Sequence, residues 1–140
     1  MNRKALAALS VLAIGMSFGV ARAELIDPDF KVVQDKMKAE EAAKCPSYGP
    51  RHLRCFQQIL QDYRNRGLMR GTPEYIDQHY GALSAQELNQ QIIARNNFFG
   101  QTRGSSLNLK PGEVTNEMMS IEVSELHHLI DLKGGARALQ

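Results

Sequence analysis

Residues 51 to 66 carry the most regular pattern of apolar positions in the chain. The apolar residues recur three or four positions apart, as on one face of an α-helix, and glutamines and charged residues fill the positions between them. Gly67 follows and is a natural end for a helix. The segment predicts an amphipathic helix whose core-facing residues are Leu53, Phe56, Ile59, Leu60 and Tyr63.

A second amphipathic helix is predicted over residues 30 to 44. Phe30, Val33 and Met37 recur at helical spacing and form one apolar stripe. Asp29 precedes them, and aspartate is one of the residue types that cap the first turn of a helix. We therefore expect Asp29 to be the N-cap of this helix.

Capping residues predict two more helices in the middle of the chain. Thr72, followed by a proline, starts a short helix that ends near residue 80. Ser84 and Glu87 have the spacing of a capping box, so the next helix begins at residue 85 and ends near residue 97. Its expected apolar contacts are Leu88, Ile92, Ile93 and Phe99.

The last predicted helix covers residues 115 to 133. Its apolar stripe consists of Met119, Val123, Leu126 and Ile130 and is broadened by Met118, Ile121, Leu129 and Leu132. Two glycines end it, and the last five residues predict a frayed tail. The segment from 100 to 112, before this helix, is rich in turn formers and predicts the longest loop, of a length that is often functional or mobile.

These elements together predict an all-α fold, a compact bundle of four to five helices that forms one domain over residues 24 to 140. Residues 1 to 23 have the three parts of a secretory signal peptide: basic residues, an apolar run of about 16 residues, and a small-residue cleavage site ending at Ala23. The run is shorter than the ~20 residues of a usual membrane span, so cleavage is favoured over an uncleaved anchor. We expect no stable membrane insertion after cleavage, with the periplasm as the compartment and secretion as the alternative.

Removal of the signal peptide changes the charge of the chain. The full sequence has 17 Lys and Arg against 15 Asp and Glu, but Arg3, Lys4 and Arg22 leave with the signal. The remaining 14 basic and 15 acidic residues give a formal charge of −1. The basic surface that nucleic-acid binding requires is therefore not predicted.

Two cysteines, Cys45 and Cys55, flank a turn that contains two prolines and a glycine. In an oxidising compartment an even number of cysteines favours a disulfide over free thiols. The spacing does not resemble the C-x-x-C of redox-active sites. We expect a structural disulfide that joins the first two helices.

The sequence gives little support to metal binding or catalysis, because the motifs for these functions are weak or missing. His127 and His128 are adjacent on a predicted helix, whereas a chelating pair would be three or four residues apart; Glu125 has that spacing to His128. The methionines lack a recurring Met-x-x-Met pattern and are assigned to the core. The mature chain contains neither the nucleophile motifs of common hydrolases nor a phosphate-binding glycine loop. The sequence therefore predicts a protein that is not an enzyme and has no cofactor.

Tyrosines and arginines mark the strongest candidate for a binding surface. The turn from 46 to 52 contains Tyr48 and Arg51, and a Tyr- and Arg-rich stretch with Arg70 and Tyr75 follows it. These two residue types are enriched where proteins bind one another. We expect these four residues to contact a protein partner, in an exported accessory subunit, inhibitor, chaperone or immunity-type factor. The alternatives are a periplasmic protein that binds a metal or small ligand and, less favoured, a small enzyme whose site carries no motif.

Overall fold

A computed structural model describes residues 25 to 99 and 109 to 140. The predicted signal peptide lies outside these residues, as do positions 100 to 108 of the predicted loop. Five helices dominate the described part, which confirms the all-α prediction. The elements are β1 Leu25–Ile26, α1 Pro28–Lys44, α2 Pro50–Asn65, α3 Pro73–Tyr80, α4 Ala85–Asn96, β2 Glu113–Val114, α5 Asn116–Leu132 and a final 3₁₀ helix Gly135–Leu139.

The first helix begins two residues earlier than the sequence predicts. Asp27, and not Asp29, is the N-cap, and its Oδ1 accepts hydrogen bonds from the backbone N–H groups of Asp29 and Phe30 at 2.9 and 3.2 Å. The prediction was wrong because Pro28 is compatible with the first helical position, while it holds the preceding residue in the extended conformation that an N-cap adopts. The pattern Asp-Pro thus encodes the start of α1.

The other predicted helix starts agree with the structure to within one residue. Thr72 caps α3, and Thr115 caps α5 by accepting a hydrogen bond from the N–H of Met118 at 3.2 Å. Ser84 accepts a hydrogen bond from the N–H of Glu87 at 3.2 Å at the start of α4. At the end of α2, Gly67 has a φ of 71°, in the left-handed region that is common after the last residue of a helix.

The hydrophobic core is divided into two clusters. One lies between α3, α4 and α5 and contains Ile76, Leu88, Ile92 and Leu126 among its fully or nearly fully buried residues. The other joins α1 to α2 through Met37, Ile59 and Tyr63. Each amphipathic stripe therefore packs on its own neighbours, and the buried residues Phe30, Val114 and Met119 belong to neither cluster.

Two features of the fold were not predicted. β1 and β2 pair antiparallel, with Leu25 opposite Val114, which brings the start of α1 beside the start of α5. The tail predicted to fray instead forms the 3₁₀ helix, and Ala138 packs against the core of α3, α4 and α5. The short side chain of Ala138 is long enough to reach the core because the 3₁₀ helix lies close to both α4 and α5.

Several apolar residues of the predicted stripes are exposed. Ile93 and Phe99 near the end of α4, and Ile121 and Leu132 on α5, lie at the surface. Leu53 in the first turn of α2 is 55% exposed, although it continues the stripe that contains the buried Ile59. The apolar face of α2 therefore begins at the surface beside the turn and enters the core only in its second half.

Candidate functional site

A disulfide closes the turn between α1 and α2. It joins Cys45, the C-cap of α1, to Cys55 within α2, with their Cα atoms 5.6 Å apart. The predicted pairing is thus confirmed in this structure. Gly49, at the N-cap of α2, has a φ of 95°, a backbone conformation that strongly favours glycine. The disulfide and Gly49 together define the path of the exposed residues 46 to 49.

His52 connects this turn to α1. Its Nδ1 lies 2.6 Å from the backbone oxygen of Pro46, and its Nε2 lies 2.9 Å from Oε1 of Glu41. The imidazole is also stacked on the ring of Phe56, with centroids 6.4 Å apart and the planes 13° from parallel. The histidine therefore contacts the start of the turn, the side of α1 and the next turn of its own helix.

Tyr48 is the most exposed of the large hydrophobic side chains in the described residues, at 86%. Arg51 is also exposed, and Leu53 lies two residues further along α2. An aromatic, a cation and an aliphatic side chain thus occur within six residues of a covalently closed turn. We call Tyr48, Arg51 and Leu53 the turn surface.

Arg70, the third predicted contact residue, pairs with two carboxylates inside the protein. Its side chain is only 11% exposed, and Nη1 donates to Oδ2 of Asp27 at 2.7 Å. Nε and Nη2 donate to the two carboxylate oxygens of Glu122, at 2.9 and 2.7 Å. Arg70 is therefore nearly buried, because two acidic residues distant in sequence pair with its guanidinium.

Glu122 is the centre of this buried network and is 0% exposed. Besides Arg70, it accepts a hydrogen bond from the Nε of Arg95 at 3.0 Å and one from the backbone N–H of Gly71 at 2.7 Å. Because Asp27 caps α1 and Glu122 lies on α5, the network joins the start of α1 to the α3, α4 and α5 cluster. It is one connection between the two halves of the core, in addition to the pairing of β1 with β2.

The ionisation states of the network follow from these bonds. Burial alone would raise the pKa of Glu122, but the hydrogen bonds and charge of Arg70 lower it below the usual range. Burial alone would lower the pKa of Arg70, but the hydrogen bonds and charge of Glu122 raise it. Burial alone would also raise the pKa of Asp27, but hydrogen bonds from Arg70 and from the backbone N–H of Phe30 lower it. All three groups are held in their charged forms.

Tyr75, the fourth predicted contact residue, is half-buried and packs against the core of α3, α4 and α5. The Arg70 guanidinium lies over its ring, 5.1 Å from the centroid, and the ring of His79 lies 4.1 Å away. Burial raises the pKa of Tyr75 to about 12. The four predicted residues do not form one surface in this structure: Tyr48 and Arg51 belong to the exposed turn, whereas Arg70 and Tyr75 line a pocket.

That pocket has a volume of about 130 Å³. Phe30, Val33 and Leu68 form its apolar lining, while Asp29 and His79 contribute polar groups. His79 Nδ1 lies 2.8 Å from the backbone oxygen of Tyr75, so the histidine is partly engaged by its own helix. The pocket is suited to a group no larger than a small ring or a single side chain.

The other predicted candidates lie apart from the turn and the pocket. His127 and His128 are exposed on α5, and the described residues contain no group of three or more His, Cys, Asp or Glu positioned to hold a metal ion. Burial and a hydrogen bond with Asp77 raise the pKa of Glu125 to about 7. Glu125 and Asp77 therefore bring two carboxyl groups together between α5 and α3.

Sequence reasoning missed Glu122 and Arg95, although their spacing carried a signal. Glu122 lies three residues after Met119 and four before Leu126, within the apolar stripe of α5. Arg95 continues the buried spacing of Leu88 and Ile92 on α4. A charged residue on an apolar face requires a partner of opposite charge, so the two could have been proposed as a pair.

Comparison with known proteins does not assign the chain to a class. No protein-family model, curated protein or solved structure matches it. Among the described residues, no helix is both long enough and apolar enough to cross a membrane. The functional argument therefore depends on the turn surface and the pocket alone.

Proposed function

We propose that this is an exported, non-enzymatic protein that binds another protein through the turn surface. The observation that carries the proposal is the exposure of Tyr48, a large aromatic side chain that is 86% accessible on a turn closed by a disulfide. Aromatic side chains with polar tips are frequent binding hot spots. A turn that is already constrained loses little conformational entropy on binding.

The neighbouring residues support the same role. Leu53 extends the apolar area of the turn surface, and Arg51 adds a cation that can pair with a carboxylate of a partner. The cysteines favour an oxidising compartment, and the periplasm is the compartment we propose, with secretion as the alternative. In this setting the protein would be an accessory subunit, inhibitor, chaperone or immunity-type factor.

Capture from the native periplasm tests the proposal. Immobilised wild-type protein is compared with Tyr48→Ala, and the retained proteins are identified by mass spectrometry. Tyr48→Ala should weaken binding of a specific partner by ≥2 kcal/mol, about thirtyfold, because hot-spot truncations cost this much. Its free energy of unfolding should stay within about ±0.5 kcal/mol of wild type, as for other surface substitutions.

Leu132→Ala is the matched control, since Leu132 is an apolar residue that is 69% exposed near the end of α5. This variant should retain the partner with wild-type affinity. Equal capture by wild type and Tyr48→Ala, with both proteins folded, would show that the turn surface is not the binding site.

A second candidate function, small-ligand binding, is favoured by the pocket beside Arg70. Its apolar lining and the polar groups of Asp29 and His79 resemble the mixed lining of ligand sites in composition, although its volume of about 130 Å³ is small. Val33→Phe would fill the pocket without altering the turn. Loss of a bound small molecule from Val33→Phe, with partner capture unchanged, would assign ligand binding to this pocket.

A further inference from the structure

The pocket beside Arg70 borders a buried network whose charges balance. Asp27 and Glu122 are the acidic members, and Arg70 and Arg95 are the basic members. Arg70 lies 2.7 Å from an oxygen of each acid, and Arg95 lies 3.0 Å from Glu122. Arginine stays charged in proteins, and both carboxyl groups have lowered pKa values. The network as a whole therefore adds no net charge to the pocket.

Asp29 is the acidic residue of the pocket lining that lies outside this network. Its backbone N–H donates to Asp27 at 2.9 Å, but its exposed carboxylate makes no hydrogen bond or ion pair with any residue that the structure describes. Carboxyl groups are ordinarily charged at neutral pH. The pocket therefore carries an unbalanced negative charge at Asp29, which favours a cation and opposes an anion.

An anion is further disfavoured by the capping of α1. Free N–H groups at the start of a helix attract anions. Here Oδ1 of Asp27 accepts hydrogen bonds from the N–H groups of Asp29 and Phe30 at 2.9 and 3.2 Å. Oδ2 of the same carboxylate accepts from Nη1 of Arg70 at 2.7 Å. The donors that an anion would use are thus engaged by a carboxylate of the protein itself.

The rest of the lining is suited to an alkyl chain. Phe30, Val33 and Leu68 form an apolar wall, and Tyr75 adds aromatic surface. Burial raises the pKa of Tyr75 to about 12, so its phenol is neutral at physiological pH and adds no charge. The volume of about 130 Å³ suits a single extended side chain. A short apolar stem that ends in one positive charge matches both parts of the pocket.

We propose that this pocket binds a primary alkylammonium group, with the stem against the apolar wall and the ammonium beside Asp29. Free amines and the lysine side chains of other proteins present the same atoms, so this shared chemistry is what the pocket recognises. The inference rests on the second candidate function, ligand binding at this pocket, and is independent of the turn surface.

Titration of the exported protein with n-butylamine tests the inference, with the methyl NMR signals of Val33 and Leu68 reporting on the apolar wall. At about pH 8 a primary amine is charged, and histidine side chains are ordinarily neutral. n-Butylammonium should shift both signals with a Kd on the order of 1 mM, a realistic affinity for so small a ligand. Methylammonium should bind more weakly, by up to about fourfold for each CH₂ group that it lacks.

Ligands of similar size separate charge from apolar contact. n-Butanol lacks the charge and should bind about fivefold more weakly than n-butylammonium, while butyrate carries the opposite charge and should bind more weakly still. A blocked lysine, Nα-acetyl-lysine methylamide, distinguishes the two sources of the group. Binding of both n-butylamine and the blocked lysine would show that a lysine of a protein fits the pocket, whereas binding of n-butylamine alone would restrict the site to free amines.

Three variants test the assigned positions. Asp29→Asn should weaken n-butylammonium binding by about fivefold, as expected for an ion pair open to water, and should leave n-butanol binding unchanged. Asp131→Asn is the matched control, because Asp131 is an exposed carboxylate near the end of α5 that does not line the pocket; its affinity should equal that of wild type. Val33→Phe should abolish the shift at Leu68, and circular dichroism establishes that each variant is folded.

Equal binding of n-butanol and n-butylammonium, or wild-type affinity in folded Asp29→Asn, would overturn the inference and leave the pocket as a site for another class of ligand. If no ligand shifts the methyl signals at about tenfold above the expected Kd, the inference and the second candidate function fail together. Partner capture by Tyr48→Ala tests the turn surface separately, because Tyr48 does not line the pocket.

Discussion

Glu122→Gln tests whether the buried network connects the two halves of the core. The substitution keeps the size of the side chain but replaces one carboxylate oxygen with an amide NH₂ group. Each oxygen of Glu122 accepts two hydrogen bonds: Oε1 from Arg70 and Arg95, and Oε2 from Arg70 and the backbone of Gly71. Whichever way the amide is oriented, its NH₂ group therefore faces two donors.

The expected cost comes from unbalanced buried charge. The side chains of Arg70 and Arg95 are 11% and 7% exposed, so water solvates them poorly once the negative charge is removed. Removing one partner of a buried ion pair typically costs about 3–5 kcal/mol. A domain of this size has a total stability of about 5–15 kcal/mol, so Glu122→Gln should be severely destabilised. Asp27 still pairs with Arg70, which favours the lower end of the range.

Urea unfolding at neutral pH, followed by circular dichroism, measures this change. Asp35→Asn is the control, because Asp35 forms an exposed i,i+4 ion pair with Lys31 at 2.9 Å. Exposed pairs of this kind contribute about 0–1 kcal/mol, so the control should lose no more than that. A loss below about 1 kcal/mol in Glu122→Gln would refute the reasoning, since the network would then add nothing beyond a surface pair.

Three further outcomes are expected. The Cys45→Ala/Cys55→Ala double variant should lose about 2.8 kcal/mol of unfolding free energy in urea, because opening a loop of about 11 residues restores entropy to the unfolded chain; an unchanged value would contradict this. The pKa of Glu125 is raised from 4.5 to about 7 in the folded protein, so its contribution to stability is fully present below about pH 4.5 and is lost as the pH rises towards 7. Glu125→Gln should therefore gain stability relative to wild type across this interval, and parallel stability curves of the two proteins would refute the raised pKa of Glu125. Intact mass of the exported protein should correspond to a chain that begins at Glu24, and retention of residues 1 to 23 in a membrane fraction would contradict the predicted cleavage.

The helices were predictable because their signals are local. Thr72, Ser84 and Thr115 cap helices with hydrogen bonds that reach only three residues along the chain, so sequence spacing is sufficient to identify them. The error at Asp29 arose within the same local pattern, where two aspartates flank a proline and either residue type can cap. The position of proline, which favours the residue before it as the cap, decides between them.

The network and the pocket were less predictable because they depend on contacts distant in sequence. Arg70 and Glu122 are separated by 52 residues, and Arg70 and Asp27 by 43. Composition and periodicity place Arg70 in a polar stretch but do not indicate which carboxylates it meets. Tyr48 is the opposite case: its exposure follows from a short turn between two helices, and the sequence predicted a turn there from local signals alone.

Site-specific photocrosslinking tests the central claim, that the turn surface binds a protein partner. A photoreactive phenylalanine analogue replaces Tyr48 in one protein and Leu132 in another, and each is irradiated in the native periplasm. The account predicts a discrete crosslinked product from position 48 that is absent from position 132 and is diminished when Cys45 and Cys55 are both replaced by alanine. Crosslinks from position 132 alone, or equal products from both positions, would contradict it.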